Sequence, residues 1–375
     1  MNFPHCLPLA ELEECDQSCI ELPEAFKLNC SYLDHLPVLE SKIPYNYFFH
    51  EYMLKNQACL IRNVSSKWES QRFWIKDADN LDFNYLKSKY GSLDVTVYDC
   101  NKKYYNSQEA NQMKFSKYLE HWESFKKSGY SDDLPLLYLK DWHLKNQLKD
   151  DKFYIVPKYF ASDWLNEYLV ENNKDDYRFV YMGPKSTWTQ FHADVFNSYS
   201  WSTNIFGQKK WIIFPPGEEK KLKDKIGNLP YRLETIPESV KYLEVIQNPG
   251  DAIFVPSGWH HQVTNLTDTI SVNHNWVNGC NIKLMWLEFV ETLKNVKKEI
   301  DDCKSMENFH AQCQVLLKST FGLDFKDFFD FLKYICSKRL QKTDNHSIFD
   351  LQRIKEILLL FSAHEDVDVL ELRSN

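Results

Sequence analysis

A chain of 375 residues with 43% hydrophobic and 15% aromatic side chains carries enough apolar surface to bury a large core, which excludes global disorder. Its net charge of −8, with acids and bases interspersed, supplies no basic surface for a nucleic-acid backbone, so direct nucleic-acid binding is not expected. There is no Cys-x-x-Cys pair among ten cysteines, no basic leader and no apolar run of about 18 residues; zinc-finger, secreted and membrane-spanning classes therefore lack support, and the expected setting is the reducing cytoplasm, with free thiols.

Residues 1–35 are mixed, with a short helix at most in "ELEECDQSCIELPEAFK", and their role is unassigned. Residues 36–135 read as an α/β extension. "IPYNYFFHEYMLKNQACLIRNV" is a helix running into a strand at Ala58–Val64, "LDVTVYDC" is a second strand, and "FSKYLEHWESFKKSG" is a helix stopped by Gly129. Between residues 136 and 280 the texture changes to short β-branched and aromatic runs: "LLYLKDW", "RFVYMG", "WTQFHADVF", "YSWSTNIFG", "KKWIIFPP", "LEVIQNPGDAIFVPSGW", "HQVTNL" and "TISVNHNWV". Many short strands with Pro-Gly, Asn and Gly punctuation predict an all-β barrel or sandwich, not a βαβ fold. Residues 217–242 interrupt the series as an insertion, and the "EEKKLKDK" within it reads as a solvated face. From 281 to 375, apolar spacings of three and four predict about three helices, whose stripes suit a core or a face between copies of a homo-oligomer.

The chemistry concentrates in two of the β runs. In a strand, residues two apart point to one side, so "FHADVF" projects His192 and Asp194 together. That pair alone is weak. It gains weight from "VPSGWHHQVTNL", which sets His260 and His261 at the start of another strand. Two imidazoles and one carboxylate on one side of a barrel form a facial triad, the donor set of non-haem Fe(II) oxygenases. Zinc prefers a closed set, usually with sulfur, and no cysteine lies near either segment; a zinc cupin remains the alternative metal chemistry. The nearby aromatics Trp188, Phe191, Phe196, Trp201, Trp259 and Trp276 suit a shielded pocket or a plain core.

These motifs resemble a known family. His-x-Asp at 192–194, Gly-x-Lys-x-Trp at 207–211, the "PGD" turn at 249–251 and the Pro-x4-His offset from Pro256 to His261 are together similar to the jumonji-C class of 2-oxoglutarate-dependent oxygenases. The likeness covers about residues 136–277, with weaker features in "NQACLIRNVSSKW" and "YGSLDVTVYDC". It implies a mostly β core, a double-stranded β-helix (jelly-roll, cupin-like) barrel with N-terminal α/β additions and a C-terminal helical region. It also implies Fe(II) bound by His192, Asp194 and His261, with His260 turned outward. For 2-oxoglutarate it implies Lys209, Thr189, Tyr138 and Asn275, with weaker assignments to Asn273 and Ser202.

The triad does not separate hydroxylation from N-methyl demethylation. The absence of a Cys/His zinc array and the short flanks favour hydroxylation, and the layout is similar to the small stand-alone protein hydroxylases of the class. That likeness, which extends into the helical tail, implies C4 hydroxylation of a lysine in the eukaryotic translation termination factor, with molecular oxygen as co-substrate. Demethylation of a methylated lysine, asparaginyl hydroxylation and a non-catalytic binding module are the competing readings.

Overall fold

The computed structural model describes residues 35–105 and 107–369; the short helix expected near the N-terminus lies outside them. The N-terminal part carries β1 (Val38–Leu39), β2 (Cys59–Ile61), β3 (Ile75–Asp77), β4 (Asn80–Leu81), β5 (Asp94–Tyr104) and β6 (Ser107–Lys114). The barrel follows with β7 (Leu137–Trp142), β8 (Arg178–Gly183), β9 (Tyr199–Phe206), β10 (Lys209–Phe214), β11 (Leu243–Gln247), β12 (Ala252–Val255), β13 (His260–Asn265) and β14 (Thr269–Trp276). The major sheet runs β1-β2-β12-β9-β14-β8-β7-β5-β6, and the minor sheet is β11-β10-β13. Two facing sheets with these crossovers form a jelly-roll of the cupin kind.

Alternation along the two central strands decides what the barrel holds. On β9, Tyr199, Trp201 and Ile205 join a core with Ile270, Val272 and Trp276 of β14 and with Phe48, Tyr159 and Phe160 from outside the sheet. The opposite face of the same strands carries Ser200 and Ser202 on β9, and Ser271, Asn273 and Asn275 on β14. The major sheet thus turns its aromatic face outward under the N-terminal helices and its polar face inward. The barrel's inner end is closed by Trp211, Ile213, Ile253, Val255 and Val263. The aromatics expected to shield the pocket are therefore spread over five separate clusters, and Trp276 and Trp201 lie in the outer core.

Three expectations are corrected. "WTQFHADVF" is not a regular strand: it is an extended segment held to β13 by isolated bridges at Trp188–Thr264 and His192–His261, followed by a single turn over Val195–Asn197. Glu218 and Glu219 are buried instead of solvated. Glu218 accepts from Lys221 Nζ (2.7 Å) and the Lys241 N–H (2.7 Å), and Glu219 from the Gly217 N–H (2.5 Å). Glu218 and Glu219 turn inward while the lysines and Asp224 stay exposed, a sorting that a sign pattern alone does not reveal. Among the described residues, the C-terminal region has four long helices, Ile282–Glu299, Phe309–Phe321, Phe325–Arg339 and Asn345–Ser362, and the short Glu365–Val369.

These helices form their own apolar core around Trp286, Phe289, Phe325, Phe328 and Phe361 and extend it onto the barrel through Phe196 and the helix Trp164–Glu171. A buried charge network fixes that seam. Arg339, 7% exposed in its side chain, donates two bonds to Glu167 (3.0 and 2.8 Å) and one to Asp350 (2.8 Å), which also accepts from Trp164 Nε1 (3.0 Å). Arg339→Met leaves two carboxylates without their cation and is expected to lower the unfolding free energy by about 3 kcal/mol or more. Urea unfolding followed by circular dichroism measures this, and a loss below about 1 kcal/mol would mark the network as solvent-screened.

Candidate metal centre and cosubstrate pocket

The centre is built on one backbone pairing. The His192 N–H donates to the His261 carbonyl (3.1 Å) and the His261 N–H to the His192 carbonyl (2.8 Å). Residues that exchange both bonds in an antiparallel pair stand directly opposite and point to one side, so the imidazoles come together with ring centroids 4.5 Å apart. The pairing continues through Thr189 N–H to Val263 O (3.0 Å) and Asn265 N–H to Thr187 O (2.8 Å), which fixes its register.

Each ring is oriented in the same way. His192 Nδ1 faces the Gln190 carbonyl (2.8 Å) and His261 Nδ1 faces the Trp259 carbonyl (3.0 Å). A carbonyl only accepts, so both Nδ1 atoms carry the proton and both Nε2 lone pairs are free for a metal. Burial, reinforced by the neighbouring His192, pulls His261 down to about 4, so it is neutral at physiological pH, as a ligand must be.

Asp194 enters from the turn after His192. Its Oδ1 accepts from Asn275 Nδ2 (2.8 Å) and its Oδ2 from Ser200 Oγ (2.6 Å), so both inner strands of the major sheet hold the carboxylate. The turn is locked by left-handed backbone at Phe196 (φ 59°) and Asn197 (φ 51°). Phe196 packs on Phe321 and Tyr177, and Asn197 Nδ2 donates to the Leu284 carbonyl (3.2 Å). The C-terminal helices thereby position a residue of the barrel mouth. Ligand atoms of His192, Asp194 and His261 all lie within 4.8 Å of one another, a donor set that fits Fe(II). His260, one residue out of phase, turns to Phe191 on the other side of the strand.

Beside the triad lies a polar cavity whose walls include Tyr138, Thr189, Lys209 and Asn275 together with Ser202 and Asn273. The register β10–β13 pairs Lys209 with Asn265, Trp211 with Val263 and Ile213 with His261, so Lys209 shares the inner face with His261. Lys210 faces out to Glu244 (2.8 Å). Lys209 is 2% exposed and reaches across the barrel to Ser271 Oγ (2.6 Å); among the described residues no carboxylate lies within ion-pair distance of it. Burial alone brings its ammonium down to about 7. The Ser202 hydroxyl is buried without a hydrogen-bond partner. A buried cation and an orphaned hydroxyl in one polar cavity are the complement of a carboxylate, and 2-oxoglutarate fits that demand.

Thr189 Oγ1 sits 3.2 Å from the Val263 N–H, and the Tyr138 ring lies under Gly183, where an added Cβ would meet ring and Thr187 side-chain atoms at 2.5–2.9 Å. Asn275 lines the cavity, but its amide is spent on Asp194 and Ser198, so it bears on the metal carboxylate first. Sequence reasoning missed Ser200, Ser271 and Tyr181. Their only signal was the strand alternation of "YSWS", "TISVN" and "FVYMG", which shows a polar face without showing what it meets.

Comparison with known proteins places this geometry in a family. A family model described as a cupin-like domain matches residues 45–281. The chain is 42% identical to the 2-oxoglutarate and iron-dependent oxygenase JMJD4 of Gallus gallus, covering 92% of this chain and 89% of that one. It is 46% identical to the Drosophila melanogaster JMJD4 homolog of the same name, over 88% and 82%. It is 36% identical to the arginine-specific demethylase JMJ20 of Arabidopsis thaliana, over 78% and 68%. The chain belongs to the jumonji-C family of cupin-like 2-oxoglutarate and iron-dependent oxygenases.

Lys209 is expected to make cosubstrate binding pH-dependent, with a defined sign. A bound carboxylate restores the charge that burial removes. Above pH 7 binding is therefore expected to take up a proton and affinity for 2-oxoglutarate to fall about tenfold per pH unit, with no pH dependence from this group below pH 7. Calorimetry in buffers of different ionisation enthalpy reads the proton uptake. Lys209→Met is expected to abolish it and to weaken binding by about 30-fold or more.

Proposed function

We propose that this oxygenase is a protein hydroxylase that oxidises C4 of a lysine side chain in the eukaryotic translation termination factor, and that it acts in the cytoplasm. The observation that carries the protein-substrate part is the access to the triad. A second cavity, walled by Tyr177, Phe179, Tyr181 and Gln190, opens onto His192 and Asp194 from outside the barrel and is large enough, at about 470 Å³, for an extended side chain with flanking backbone. The choice of lysine and of the termination factor is supported by the likeness of the barrel motifs and helical tail to the stand-alone lysyl hydroxylases. Cys59, Cys100, Cys280, Cys303, Cys313 and Cys336 are free thiols, in keeping with a reducing compartment.

Iron and 2-oxoglutarate together supply, from molecular oxygen, an oxidant able to replace hydrogen at an unactivated carbon, with succinate and carbon dioxide as by-products. The chain's own groups make that selective. His192, Asp194 and His261 would hold the metal, with their ligand atoms converging on one point. Lys209, Ser202 and Thr189 would anchor the far carboxylate of 2-oxoglutarate at the barrel wall. Ser200 and Asn275 keep both oxygens of Asp194 in place. The aromatic walls of the outer cavity exclude water from the reacting carbon.

Demethylation is the second reading, favoured by the arginine-specific demethylase among the relatives. The products separate the two: hydroxylation leaves the target heavier by one oxygen, whereas demethylation removes a methylene equivalent and releases formaldehyde. Mass spectrometry of the termination factor after incubation with enzyme, iron and 2-oxoglutarate is expected to show one added oxygen on a lysine. Asp194→Ala is expected to lower that turnover by at least about 100-fold, since the metal loses a charged ligand. An unmodified termination factor, or formaldehyde in step with turnover, would overturn the proposal.

A further inference from the structure

In the outer cavity one residue combines a left-handed backbone with a break in strand pairing. Asp141 has φ 57°, the left-handed region that non-glycine residues seldom adopt. It sits in a bulge of β7: Leu139 pairs with Met182 and Trp142 with Val180, so Lys140 and Asp141 together oppose the single residue Tyr181. Such a bulge re-aims side chains, and bulges concentrate beside active sites for that reason. Here it turns the Asp141 carboxylate into the cavity that also holds His192 and Asp194.

The surroundings fix what this carboxylate is free to do. The Tyr181 hydroxyl donates to Asp141 Oδ1, and Tyr181 lines both the cosubstrate cavity and the outer one. Among the described residues no cation pairs with Asp141. The neighbouring cations are occupied: Arg178 and His143 hold Asp176 (2.5 and 3.3 Å), and Lys140 donates to Gln108 (2.9 Å) and Gln190 (3.2 Å) over the Tyr98 ring. Tyr177, Phe179 and Tyr181 supply an aromatic wall beside the unpaired carboxylate. An acceptor of fixed position next to aromatic faces is complementary to an aliphatic stem ending in a cation.

We infer that Asp141, aimed by its bulge and by Tyr181, is the specificity-determining residue that receives the cationic end of the target side chain and so presents the inner methylenes of the stem to the metal face. This rests on the protein-hydroxylase reading above and names the class of side chain that reading requires. The feature that distinguishes it from surface acidity is the bulge: two residues, Lys140 and Asp141, oppose Tyr181 alone, and the Tyr181 hydroxyl then holds the exposed carboxylate at the mouth of the cavity.

Asp141→Asn is the discriminating variant, because asparagine tolerates the left-handed region and keeps the size while removing the charge. The full chain, loaded with manganese(II) and 2-oxoglutarate so that binding is read without turnover, is presented with peptides whose central residue is lysine, methyl-lysine, arginine or norleucine. The wild type is expected to favour the cationic peptides over norleucine by about tenfold, and Asp141→Asn to lose that preference. In steady-state assays on the termination factor, the variant's KM for the protein is expected to rise about tenfold while its KM for 2-oxoglutarate stays put. A wild type indifferent to charge, or a variant that keeps the preference or the protein KM, would overturn the inference. If the termination factor is left unmodified by the wild type while the Asp141-dependent preference for cations persists, the substrate reading falls and this inference stands.

Discussion

Two reciprocal backbone hydrogen bonds, between His192 and His261, are the constraint on which the centre depends. They are distant in sequence, yet the pairing sets them opposite each other without help from either side chain, and the same register turns Lys209 to the inner face two pairs further on. A slip of one residue would send His260 inward and His261 outward and would carry the lysine out of the cavity with it. The two imidazoles are then oriented by carbonyls two residues earlier in the chain, so position and tautomer both follow from main chain. What remains for side-chain chemistry is the carboxylate, and Asp194 is held by strands of the opposite sheet.

The barrel reverses a common arrangement. Its most aromatic surface is the outside of the major sheet, where Tyr199, Trp201 and Trp276 pack under flanking helices, and its interior is half polar. Serine and asparagine rows inside a barrel are costly unless they are satisfied, and here most are satisfied by one another, by Asp194 and by Lys209. Those left over, the Lys209 charge and the Ser202 hydroxyl, are the ones an anionic cosubstrate would complete. The polar interior thus keeps a buried cation and an unpaired hydroxyl side by side, the complement of a carboxylate.

The flanking regions act on the same point. The C-terminal helices reach the turn after Asp194 through Phe196 and Asn197, and their own seating on the barrel runs through the buried Arg339 network. The 217–242 segment contributes Leu222, Leu229, Leu233, Ile236 and Val240 to a small core with Phe191 and Phe214, and its Tyr231 carbonyl accepts from the Phe191 N–H (3.1 Å). The stretch that carries the metal ligands is therefore held from three sides, which suits a segment that lacks the continuous ladder of a regular strand.

Much of this was legible from the order of residues. The short alternating runs announced a barrel because a two-residue period is a local property of a strand, and β8, β9 and β14 fall where that period places them. His-x-Asp with a later His named a candidate donor set, and the resemblance to the jumonji-C class singled out His261 over His260 and Lys209 over Lys210. The sequence by itself determined which groups were available. Tertiary structure decided which of them meet: that Asp194 leans on Ser200 and Asn275, that Glu218 and Glu219 go inside, that the aromatics near the motifs part into five separate clusters, and that Asp141 turns into the outer cavity. The holding of Asp194 by two strands of the opposite sheet is set by the register between strands far apart in the chain, and register is a relation between segments that no local pattern encodes.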